Sequence, residues 1–94
     1  MDAALVQIVE NHAEIAGELV SMTPDRSRAG FVTLMVTVRG TSAVEGWPNF
    51  FDCDVGQTIA IAAREGSAAS AARPGEPVRL RVRKAGPALS FAED

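Results

Sequence analysis

Residues 2–22, DAALVQIVENHAEIAGELVSM, decide the fold because they accept two readings. At helical spacing, Leu5, Ile8, Val9, His12, Ile15, Ala16 and Leu19 form an apolar stripe, with Gln7, Glu10, Asn11, Glu14, Glu18 and Ser21 opposite. That pattern gives one long helix from Asp2 to Ser21 packed on an antiparallel sheet, an α+β domain. Gly17 opposes it from the interior, since glycine costs a helix about 1 kcal/mol relative to alanine. The turn sequence Thr23-Pro24-Asp25-Arg26, leading into an extended run at Phe31, opposes it too. The preferred reading is a short helix over 2–11 followed by a strand over 13–22, which makes the chain mainly β.

The rest of the chain alternates as strands do. From Phe31 to Arg39, Val32, Leu34, Val36 and Val38 share one parity, and Phe31, Thr33, Met35, Thr37 and Arg39 share the other. From Val78 to Arg83, Val78, Leu80 and Val82 alternate with Arg79, Arg81 and Arg83. A third run, Ala88 to Ala92, places Leu89 and Phe91 on one face behind the hairpin turn Ala85-Gly86-Pro87. Gln57 to Ala63 reads as a strand with Ile59 and Ile61 inward, although its alanines also suit a helix. Parity therefore predicts one core made of Val32, Leu34, Val36, Val38, Ile59, Ile61, Val78, Leu80, Val82, Leu89 and Phe91.

Five strands with a small-residue connection between the third and fourth, Gly66-Ser-Ala-Ala-Ser-Ala-Ala72, resemble the layout of an oligonucleotide/oligosaccharide-binding (OB) barrel. Gly17 falls where the first strand of a closing barrel must bend, and Gly56 at the entry to the third. The tail from Arg73 to Ala92, RPGEPVRLRVRKAGPALSFA, is similar to the closing hairpin of TOBE modules, the OB-like domains appended to ATPases of bacterial ABC importers. This likeness covers about the last twenty residues and implies a fold. No upstream segment matches a TOBE ligand motif, so no functional residue is carried over.

Ninety-four residues correspond to a single domain over 1–94, and 47% hydrophobic with 22% charged residues is an ordinary globular balance. The longest apolar run, Ile59 to Ala63, is far too short to span a membrane. The start MDAALVQIVENH carries acids where a secretory leader carries basic residues, and a lone cysteine, Cys53, forms no internal disulfide. The expectation is a cytoplasmic bacterial protein without cofactor. A net charge of −3 argues against non-specific coating of nucleic acid. Charge is uneven, however: residues 1–25 hold five acids and no Lys or Arg before Arg26, whereas residues 73–84 hold Arg73, Arg79, Arg81, Arg83 and Lys84 against Glu76.

Two constellations bear on function. The stripe Arg79, Arg81, Arg83, flanked by Arg26, Arg28 and Lys84 on hairpin loops, has the form of a phosphate ladder. In an OB barrel the first and fourth strands pair, so Glu14 and Glu18 are expected across from these arginines as ion pairs that neutralise them. Trp47, Phe50 and Phe51 in Gly46-Trp-Pro-Asn-Phe-Phe-Asp52 supply aromatic surface. Phe50 and Phe51 suit the core; Trp47, with Phe31 and Met35 beside Arg39, suits an exposed patch.

Catalytic and metal chemistry find little footing. His12 is the only histidine, and no Ser, His and acid spacing implies a triad. Adjacent side chains in Asp52-Cys53-Asp54 would diverge on a strand, and the Met and His ligands of OB-like copper carriers are not placed around Trp47-Pro48. The expected function is a non-enzymatic binding or assembly module acting through a protein partner or as a homo-oligomer. The alternative is a single-stranded nucleic-acid binder using the same arginines and aromatics.

Overall fold

In the computed structural model, residues 9–93 are described and form a closed five-stranded β-barrel. The strands are β1 (Ala13–Pro24), β2 (Phe31–Ala43), β3 (Thr58–Arg64), β4 (Pro77–Gly86) and β5 (Leu89–Glu93), with single 3-10 turns at Asp52–Asp54 and Ala69–Ala71. Around the barrel they run β1-β2-β3-β5-β4 and back to β1, an order compatible with an OB-like fold. All pairings are antiparallel except β3 with β5, which is parallel and rests on the single pair Ala62↔Phe91.

The ambiguous N-terminal segment is a strand from Ala13 onward, so the long helix to Ser21 is excluded. The expected helix over 2–11 lies mostly outside the described residues, and Val9 to His12 are not helical. β1 is an inner strand, paired with β2 on one side and β4 on the other, which satisfies both edges of its backbone. Its helical apolar spacing was incidental: Ala13, Ile15 and Leu19 are buried, while Glu14, Ala16 and Glu18 take the opposite parity. A Cβ on Gly17 would overlap the Thr37 carbonyl of β2. Register shifts on either side of this approach leave Arg39 and Val20 as the extra residues, and such bulges raise local twist and curvature. Gly17 thus sits where the wall bends, as the barrel layout required.

The interior is filled by Ile15, Leu19, Leu34, Val36, Val38, Ile61, Leu80 and Val82, with Met22, Val32, Ile59, Val78 and Ala92 packed against them. Phe51 is carried in by the β2–β3 connection and is fully buried; Asn49 holds it, accepting the Phe51 N–H at 2.8 Å and donating to Thr41 Oγ1 at 3.0 Å. Beyond the last β1–β4 pair, the Asn11 side chain acts as a strand would. Its Oδ1 accepts the Lys84 N–H at 2.8 Å and its Nδ2 donates to the Lys84 carbonyl at 2.9 Å, at 1% exposure.

Two expectations are corrected. β5 has the opposite parity to the one expected: Val82↔Ala92 and Arg83↔Phe91 are the register pairs, so Ser90 and Ala92 face inward and Leu89 and Phe91 outward. A shift between Lys84 and Gly86 at the hairpin sets this register, and one residue of slip turns every side chain over. Glu18, expected across from the arginine stripe, faces Pro77 instead and bonds Arg39 at 3.4 Å.

Candidate binding face

The outward parity of β2, β3 and β5 brings together residues far apart in sequence. Phe31 opens β2 and Phe91 lies in β5, with ring centroids 6.0 Å apart and planes at 69°, an edge-to-face pair. Between these strands runs β3, where Ala62 is outward by parity yet only 6% exposed, beside Thr33 of β2 and Phe91 of β5. Its small side chain leaves space for the rings. Three guanidinium groups surround the pair: Arg64 lies 5.3 Å from the Phe31 centroid, and Arg83 and Arg28 lie 4.9 and 5.4 Å from that of Phe91. Each such cation–π contact contributes about 0.5–1 kcal/mol at an exposed site. Phe31, Arg64, Arg83, Phe91 and Glu93 line a cleft of about 360 Å³.

Arg28 is positioned by the β1–β2 hairpin. Asp25 accepts the Ser27 N–H at 2.8 Å and the Arg28 guanidinium at 2.9 Å, while its own N–H donates to the Phe31 carbonyl at 3.0 Å. The Ser27 N–H first, and Arg28 next, hold the Asp25 carboxyl below its ordinary range, so it is ionised at neutral pH. Gly30, at φ 81°, supplies the left-handed residue that returns the chain to β2.

The other expected site residues divide among three places. Arg26 is exposed on the same hairpin as Arg28, and Met35 is outward on β2 opposite Ala60. Arg79 and Arg81 lie on the β1–β4 wall, where Arg81 faces Glu14 across the ladder at 3.6 Å; Arg39 is taken by Glu18. The stripe is therefore split: Arg81 meets Glu14, Arg79 faces Ala16, and Arg83 joins the aromatic pair. Lys84 points inward, 3.0 Å from Asp54 and 5.0 Å over the Phe51 ring, which is a structural role. Trp47 is 41% exposed and packs edge-on against His12 at 4.8 Å. Arg64 and the outward Phe91 were missed. Extending the alternation of β3 by one residue would have placed Arg64 outside; nothing in the sequence signalled the inversion of β5.

His12 is held between two carboxylates, Nδ1 2.6 Å from Glu93 and Nε2 3.0 Å from Glu10. These bonds raise its pKa, Glu93 contributing most. Cys53 is exposed. Among the described residues no group of three or more His, Cys, Asp or Glu is placed to hold a metal ion, and no helix is long and apolar enough to cross a membrane. Comparison with protein families, with curated proteins and with solved structures finds no match.

Proposed function

We propose that the chain is an OB-type binding module whose β2–β3–β5 face takes single-stranded nucleic acid. The observation that carries this reading is the Phe31–Phe91 pair ringed by Arg28, Arg64 and Arg83. Bases stack on aromatic faces, and guanidinium groups beside them meet the phosphates; in OB barrels the outer surface of strands 2 and 3, with the β1–β2 and β4–β5 loops, is where such ligands lie. A chain of net charge −3 needs its positive charge gathered in one place to bind a polyanion. Arg26, Arg64 and Arg83 supply it, with Arg28 held beside them by Asp25, while Arg39 and Arg81 are paired with glutamates elsewhere. The TOBE-like hairpin of residues 73–92 supports the OB reading without adding a ligand.

Fluorescence polarisation with a labelled oligo-dT of about twelve nucleotides tests this. Binding should weaken steeply with salt. Arg64→Ala should reduce the log–log salt slope by about 0.7, the value of one single-strand phosphate contact, and cost no more than the roughly 0.5–1 kcal/mol of its contact with Phe31. No salt-dependent binding at low ionic strength, or a slope indifferent to Arg64→Ala, would refute the proposal. A second reading, association with a protein partner or a second copy, draws on exposed Trp47 and Val55. Light scattering that shows a concentration-dependent mass, lost in Trp47→Ala, supports it.

A further inference from the structure

We propose that the open flank of β3 at residues 58–60 is a docking edge for an extended, uncharged peptide of a partner protein, which adds there as a further strand. In an antiparallel ladder alternate residues turn their main-chain groups toward and away from the neighbour. The Val38 N–H donates to the Gln57 carbonyl at 2.9 Å, and the Glu65 N–H donates to the Gly30 carbonyl at 2.9 Å. Odd-numbered residues of β3 therefore bond β2, and the N–H and C=O groups of Thr58, Ala60, Ala62 and Arg64 point toward β5. Ala62 meets Phe91 there. The β3–β5 ladder holds no pair at Ala60, no bond joins the Ala60 N–H to the turn at Pro87–Ala88 among the described residues, and Ala60 is exposed. The wall is incomplete at this point.

A second observation agrees. Ile59 shares the inward parity of Ile61, yet Ile61 is fully buried and Ile59 only partly. The gap that leaves Ala60 outside the β3–β5 ladder also leaves Ile59 half covered. It opens into a cleft of about 290 Å³ lined by Ile59, Ala60, Pro87, Ala88 and Ser90, whose small side chains admit a backbone. Lys84 and Asp54, paired at 3.0 Å in the same cleft, leave it without excess charge to draw a phosphate. A main-chain N–H outside the β3–β5 ladder beside a half-covered isoleucine matches a peptide strand with apolar side chains, which offers both a carbonyl and apolar cover; nucleic acid offers neither. This edge borders the Phe31–Phe91 cluster, since Ala60 and Arg28 line one small cleft, but the inference stands without the nucleic-acid reading.

The probe is acetyl-Thr-Val-Thr-Val-Thr-amide, with two counterparts N-methylated at alternate residues in the two phases. The expected result is at least tenfold slower hydrogen exchange at the Ala60 amide with the parent peptide, retained by one methylated phase and lost with the other. Ala60→Pro, which removes the donor while leaving the β2 ladder intact, should abolish peptide binding and leave the circular-dichroism spectrum of the barrel unchanged. If that variant does not fold, the comparison of the two phases on the unaltered protein decides. Equal behaviour of all three peptides, or full peptide binding by a folded Ala60→Pro protein, would overturn the proposal. So would an Ala60 amide already protected in the protein alone: if protection rises with protein concentration, a second copy fills the edge, and if it does not, the chain's own residues do.

Discussion

His12 is the residue whose charge the fold most directly uses. Its two ring nitrogens meet the carboxylates of Glu93 and Glu10, which favour the imidazolium and raise the pKa above its ordinary value of 6.5. A raised value in the folded state means that folding promotes proton binding. The stabilisation is complete below the unfolded value near 6.5 and is lost as pH rises through the folded one. The urea midpoint should therefore fall as pH climbs from about 6.5, and Glu93→Gln should flatten that dependence, as denaturation series at fixed ionic strength will check. A midpoint that rises over the same window in the unaltered protein contradicts the assignment. Asp25 works in the opposite sense, its contribution present at neutral pH and fading in acid as the carboxyl titrates below its ordinary range.

At the scale of elements, the pairing of β1 with β4 determines which charges meet. Glu14 and Arg81 are register partners, whereas Glu18 faces Pro77. Both side chains of the first pair are well exposed, so their interaction is worth about 0–1 kcal/mol. A double-mutant cycle on stability should find a coupling in that range for Glu14→Ala with Arg81→Ala and none for Glu18→Ala with Arg81→Ala. Coupling to Glu18 in place of Glu14 would mean that the β1–β4 register is shifted. The same sensitivity to register explains β5. Its Leu89 and Phe91 look like an inward face, and the hairpin shift beyond Lys84 turns them out, exchanging a core position for one on the outer face.

The whole barrel depends on side chains contributed by every wall. Leu80 of β4 lies opposite Ile15 of β1 and shares the interior with Leu34, Val36, Ile61 and Phe51. Leu80→Ala should cost about 2–5 kcal/mol, through lost transfer energy and the cavity left behind. Phe91→Ala, a larger truncation on the outer face, should cost less. Chemical denaturation of the two variants measures the contrast directly. A smaller loss for Leu80→Ala than for Phe91→Ala would restore the parity first expected for β5.

Much of this was legible in the residues themselves. Period-two alternation at 31–39 and 78–83, turn chemistry at Pro24-Asp25 and Gly86-Pro87, and Gly17 within an apolar run specify strands and their approximate ends, because local backbone preference and one-sided burial act over a few residues. Glu14 opposite Arg81 followed once β1 and β4 were paired. Only the tertiary structure decided that Arg64 of β3, Arg83 of β4, Arg28 of a hairpin and two phenylalanines 60 positions apart in sequence share one surface. Strand order around the barrel and a register shift at one hairpin set that surface. Both are properties of contacts between distant segments, which alternation within a single segment does not record.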